Sequence, residues 1–138
     1  MTRRLLLLGT LAAGLRADSA KDAEDLIESA ATALSAGEPE QFLGAFDPSL
    51  PDFTKLRYYV VGLTSQGDVS CSIEVESNEG DDAARSLTLD WILRLDKKGS
   101  SGGVERRQKT VKCKLKKTGK KWRIVSFEPL DLFAPAAG

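Results

Sequence analysis

Two periodicities divide the chain. Up to Gly67 the apolar residues recur every three or four positions, and from Val69 they recur every second position. Ala23, Leu26, Ile27, Ala30 and Leu34 make one stripe of a first helix. Ser19-Ala-Lys-Asp22 stands ahead of it as a capping box, and Gly37 supplies the stop. Pro39 opens a short second helix carrying Phe42, Leu43 and Phe46, which Asp47-Pro48 ends. Phe53, Leu56, Val60 and Leu63 continue the helical spacing behind a second capping pattern, Ser49-x-x-Asp52. Tyr58-Tyr-Val-Val61 has strand propensity, but the stripe and the cap decide for a third helix, closed by Gly67.

The period of two then predicts four strands. Val69, Cys71, Ile73 and Val75 alternate with Ser70, Ser72, Glu74 and Glu76, and Asn78-Glu-Gly-Asp-Asp82 makes a turn. Leu87, Leu89, Trp91, Leu93 and Leu95 form the longest strict alternation. Lys98-Gly-Ser-Ser-Gly-Gly103 is a flexible connection. On the third strand Val111, Cys113 and Leu115 face inward, with Lys112, Lys114 and Lys116 outward. A tight hairpin at Thr118-Gly119 sets Lys117 opposite Lys120, Leu115 opposite Trp122, Cys113 opposite Ile124 and Val111 opposite Ser126. After Glu128-Pro129, Leu130, Leu132 and Phe133 return onto the core. Helices followed by a meander with one apolar face give an α+β fold: N-terminal helices packed on a curved four-stranded antiparallel sheet.

Length changes the picture little: 138 residues make one domain. Charge changes it more. Twenty acidic residues balance twenty basic ones, but residues 17–82 carry fifteen acidic and three basic side chains. Residues 99–123 carry one and ten. Histidine is absent, which removes the commonest general base near neutral pH and the commonest metal ligand.

The leader, Met1-Thr-Arg-Arg followed by a run from Leu5 to Leu15, is too short for the roughly twenty apolar residues of a membrane span. It fits a secretory signal at 1–19, cleaved near Ser19 or Ala20, ahead of a domain at 20–135. Thr2-Arg-Arg-Leu-Leu6 loosely matches the twin-arginine pattern. The expected mature protein is exported, periplasmic or secreted, and has no transmembrane segment.

The helices through Gly67, the strand from Leu87 to Leu95 with Asp90-Trp91, and Gly119-Lys-Lys-Trp122-Arg-Ile124 resemble the nuclear transport factor 2-like group. That is the cystatin-like cone that also hosts polyketide cyclases and ketosteroid isomerases. The resemblance implies a cone closed by helices, in a group of enzymes, ligand carriers and proteins of unknown role. Its enzymes commonly use an Asp or an Asp–His pair in the cone.

Asp90 is the residue to weigh for that role. Period-two geometry points it away from the face that Trp91 shares with Leu89 and Leu93, so no residue is assigned as catalytic. Cys71 and Cys113 lie on strands separated by a third. Two strand spacings are about 10 Å, beyond the roughly 7 Å Cα limit of a disulfide, so they read as small buried thiols without the further ligands a metal would need. The basic run from Arg106 to Arg123 alternates onto one solvated face without interleaved aromatics, which argues against nucleic acid.

Glu105, Arg107 and Lys109 are inward positions beyond Val111, and Ser126 and Glu128 stand across the hairpin. A polar end on an apolar face suggests a ligand pocket lined by Tyr59, Trp91 and Trp122, with Arg107 and Lys109 holding an anionic group. Ile92, Val125 and Phe127 on the outer face suggest a homodimer through that face. The sequence thus reads as an exported, non-catalytic binding module for a small apolar or acidic molecule or a protein partner, without a cofactor. The alternative is an isomerase, cyclase or dehydratase using a carboxylate in the cone.

Overall fold

A computed structural model describes residues 7–99 and 102–137, with side chains from position 18 onward. The twin-arginine pattern and part of the Lys98–Gly103 connection lie outside the described residues. Helices α1 (Leu7–Ser35), α2 (Pro39–Leu43) and α3 (Phe53–Gln66) precede strands β1 (Gly67–Gly80), β2 (Ala84–Lys97), β3 (Gly103–Thr118) and β4 (Lys121–Glu128). A 3-10 turn, Leu130–Phe133, follows. The strands lie in the order β1-β2-β3-β4, each antiparallel to the next, which is the expected meander. Among the described residues no helix is long and apolar enough to cross a membrane.

The alternation does what its period requires. Leu87, Leu89, Trp91, Leu93, Leu95, Val111, Cys113 and Leu115 are all buried on one face, and Asp90 points to the other. Ala23, Ile27, Ala30 and Leu34 of α1, with Leu56, Val60 and Leu63 of α3, roof that face. Each fully buried leucine or isoleucine contributes about 1.5–3 kcal/mol. Gly37, at φ 74°, ends α1 by letting Glu38 N–H reach the Ala33 carbonyl and Gly37 N–H the Leu34 carbonyl.

Two expected caps are replaced. α1 runs unbroken from Leu7, so Ser19 is a buried position inside the helix rather than its cap. Ahead of α3, the Asp47 carboxylate accepts from the Ser49 N–H and hydroxyl, and these two bonds hold its pKa below the usual carboxylate range. Asp52 stands at the helix start in the left-handed region, φ 64°, without a capping bond from its side chain.

The hairpin register also differs. Lys117 pairs with Trp122 and Leu115 with Ile124, because the two-residue loop is Gly119-Lys120. Glycine at the first loop position, φ 65°, suits the primed turns that match strand twist. The slip is by two residues, so the inward face survives it. A bulge then inserts Val125 opposite the Lys114/Leu115 step, and every later residue of β4 changes side. Phe127, expected outside, pairs with Cys113 and is buried. A second bulge, at Glu76 between Val75 and Ser77, turns Asn78 inward. There its amide donates to the Ala20 carbonyl and Glu24 carboxylate of α1 and accepts from Arg85 Nε, one of two buried polar residues among the described ones, with Ser19.

Candidate functional site

The inner face of the sheet carries an aromatic cluster at its centre. Trp91, from the middle of β2, meets the rings of Phe127 at 5.8 Å and Phe133 at 5.4 Å, both edge-on. Phe133 also meets Phe42 of α2 at 5.1 Å and Phe127 at 5.4 Å. Phe46 joins through Phe42 and Phe127. Such edge-to-face pairs add about 0.5–1.5 kcal/mol each beyond burial. Phe127 is in the cluster because of the Val125 bulge, and Phe133 because the 3-10 turn doubles back over the sheet. The interior of the cone is therefore filled with the chain's own side chains at this level.

Arg107 stands at the rim of the cluster. It pairs with Leu93 on β2, and its side chain is only 14% exposed. Its Nε donates to Glu105 Oε2 at 2.7 Å and its Nη1 to the Leu132 carbonyl at 2.7 Å. The hydrogen bond from Arg107 holds the Glu105 carboxyl below its ordinary pKa, with Lys97 Nζ adding attraction at 3.7 Å. An acid held ionised in this way is a poor proton acceptor.

The five residues predicted to line a pocket are not all together. Trp91 pairs directly with Lys109, two residue pairs from Arg107, but the Lys109 side chain is exposed. Trp122 pairs with Lys117, near the hairpin end of β3. At about 3.3 Å per residue that is about 26 Å along the strand from Lys109. Trp122 instead borders a shallow surface hollow beside Asp22, Asp25, Lys121 and Arg123. Tyr59 is half-buried on α3 with Lys55 Nζ 5.4 Å from its ring centre. Phe127 and the Leu132 carbonyl are what sequence reasoning missed, and Phe133, expected on the core, was not expected in the site. The apolar tail was a visible signal for Phe133; nothing in the sequence marks the bulge that turns Phe127.

The remaining candidates fall outside this cluster. Asp90 lies on the outer face, where its carboxylate accepts from Gln108 Nε2 at 3.0 and 3.1 Å. Both cysteines are free thiols, on strands separated by β2. Burial raises the pKa of each, that of Cys113 to about 12. Trp91 Nε1 is buried beside the Cys71 thiol but falls short of a hydrogen bond to it. Lys112, Lys114 and Lys116 project outward into solvent.

No family model matches the sequence, and no curated protein does either. Solved structures match well. A conserved protein from Planctomyces limnophilus aligns with a TM-score of 0.73 at 7% identity, over 81% of this chain and 94% of its own. A putative scytalone dehydratase from Novosphingobium aromaticivorans gives 0.69 at 8% identity, over 78% and 79%. A nuclear transport factor 2-like superfamily protein from Salmonella enterica gives 0.64 at 10% identity, over 88% and 94%. The chain has the nuclear transport factor 2-like fold, a fold shared by ligand-binding and enzymatic proteins. At these identities the likeness establishes the fold alone.

Proposed function

We propose that this chain is an exported, non-catalytic binding module, taking a small apolar or acidic molecule at the Arg107 end of its cone. The observation that carries the reading is Arg107 itself. A guanidinium so little exposed, set against an aromatic cluster, spends one donor on a backbone carbonyl instead of a second carboxylate. An anionic group that took the place of that carbonyl would receive a charge-assisted bond from the same donor. The lean towards binding over catalysis rests on two carboxylates, the one that precedes Trp91 and the one two residues before Arg107. Asp90 faces outward, and Glu105 is tied to Arg107.

A thermal-shift screen of acidic apolar compounds tests this, with each protein compared to its own ligand-free melting point. A compound that stabilises the wild type should lose most of its effect on Arg107→Ala. Equal shifts in both proteins, or no shift at all, would count against the site.

Export rests on the charged and apolar leader and on where the folded body takes hold of α1. Among the described residues, Ala20 is the first of α1 that the sheet bonds, through Asn78. Cleavage between Ser19 and Ala20 keeps that contact.

The partner reading is a second copy of this chain on the outer sheet face. Ile92 and Val125 supply its half-buried apolar residues; Phe127 does not, being inside. The β1 side of that face carries Asp68, Glu74 and Glu76, and the β3–β4 side carries Lys112, Lys114, Lys116 and Arg123. A two-fold axis between the sheets, along the strands, lays each acidic half on the partner's basic half. Light scattering at micromolar concentration should give a dimer mass that falls as salt is raised. A strictly monomeric mass removes the dimer.

A further inference from the structure

The segment after β4 is docked in an unusual way. It pairs with no strand, and its own backbone bonds are two turn contacts, Leu132 N–H to the Pro129 carbonyl and Ala134 N–H to the Asp131 carbonyl. Yet Leu132 and Phe133 are fully buried. Three separate fastenings hold it. Arg107 Nη1 donates to the Leu132 carbonyl. Gln66 exchanges a reciprocal pair with Ala136, its Nε2 donating to the carbonyl at 3.0 Å and its Oε1 accepting from the N–H at 2.7 Å. Pro135 lies so close over Gly62 that a Cβ there would come within 2.7 Å of its Cγ. This segment can leave without breaking a single strand pairing.

What it presents to the cone is a phenyl ring, joined through the Phe133 Cβ, Cα and nitrogen to a carbonyl whose oxygen sits on a guanidinium. Replace the carbonyl by a carboxylate and the peptide atoms by methylenes, and the result is 4-phenylbutyrate. The charge-assisted bond to Arg107 would then be an ion pair, which is stronger than the neutral carbonyl contact. We infer that segment 130–136 is an internal ligand, occupying with Phe133 and the Leu132 carbonyl the place that an arylalkanoate takes when the segment swings out.

This inference rests on the binding reading above and adds the ligand class and the device that controls access. Because the segment must leave before the ligand enters, the apparent affinity is the intrinsic one reduced by the small fraction of open molecules. Anything that loosens the fastenings without touching the slot should tighten ligand binding. A purely structural role predicts the opposite: looser fastenings cost stability and gain nothing for a ligand.

The experiment titrates full-length wild type, Gln66→Ala and Gly62→Ala with 4-phenylbutyrate, using butyrate as the ringless control. Gln66 lies outside the slot, and Gly62→Ala pushes on Pro135 from α3, where alanine suits the helix. Both variants should bind 4-phenylbutyrate roughly 10-fold more tightly than wild type, the worth of one or two hydrogen bonds no longer opposing release. Butyrate should bind none of them. Saturating 4-phenylbutyrate should also speed carboxypeptidase digestion of the segment in the wild type. Equal affinity in all three proteins, or digestion slowed by ligand, overturns the internal-ligand inference while the binding module stands. Silence of 4-phenylbutyrate, with another acid from the thermal-shift screen lost on Arg107→Ala, does the same. Silence of every acid overturns both.

Discussion

Phe133→Ala should cost about 3–5 kcal/mol of stability, among the largest losses available from one side chain in this fold. The ring is fully buried and meets Phe42, Trp91 and Phe127 within 5.4 Å. Those neighbours come from α2, β2 and β4, elements that cannot move together to close the gap, so most of the cavity would remain. Urea unfolding reads the loss as a lower midpoint with an unchanged slope. A loss below about 1 kcal/mol would be ordinary for an exposed or loosely attached residue. It would place the ring outside the core and remove the basis of the account.

Gly67→Ala should cost about 3 kcal/mol for a different reason. α3 passes into β1 with no loop between them: Gln66 ends the helix and Gly67 already pairs with Lys97. The Gln66 carbonyl accepts from Lys98 N–H at 2.9 Å, which draws the two backbones together. A Cβ on Gly67 would lie 2.1 Å from the Asp96 carbonyl oxygen and 2.8 Å from Lys97 Cα. At φ 166° the backbone itself is ordinary extended chain, so the whole cost is this collision with backbone atoms that the β1–β2 ladder fixes. The same denaturation measurement applies. A nearly neutral substitution would mean that the helix and strand are joined more loosely than the structure shows.

The two predictions mark what the sequence made legible and what it did not. Alternation from Leu87 to Leu95 identified the inner face, and it placed Trp91 inside and Asp90 outside without error. Parity is robust because it depends only on the period of two, and even the two-residue slip in the hairpin preserved it. It fails wherever one residue is inserted. Val125 and Glu76 do this, and neither residue type carries a signal for a bulge. Phe127 therefore belonged to the wrong face, and the inward turn of Asn78 was invisible.

The candidate site shows a second limit. Alternation assigns a residue to a face but not to a neighbour. Arg107, Lys109 and Trp122 share the inner side of the sheet, yet Trp122 sits near the hairpin, far along the strand from the other two. Arg107 was read correctly as an inward cation at the polar end of the face. Its partner was not readable, because the Leu132 carbonyl comes from a segment whose path over the sheet no periodicity describes. Whether the cone is hollow is a packing question, and Phe42, Phe127 and Phe133 answer it from three separate parts of the chain.

The most direct test of this account is a nuclear Overhauser spectrum of the full chain in solution, read at the aromatic protons. Cross-peaks from the Phe133 ring to the rings of Trp91, Phe42 and Phe127 are expected, together with slow hydrogen exchange at buried Trp91 Nε1. A Phe133 ring without such cross-peaks, or a Trp91 indole that exchanges as fast as an exposed one, would contradict a cone filled by the protein's own tail.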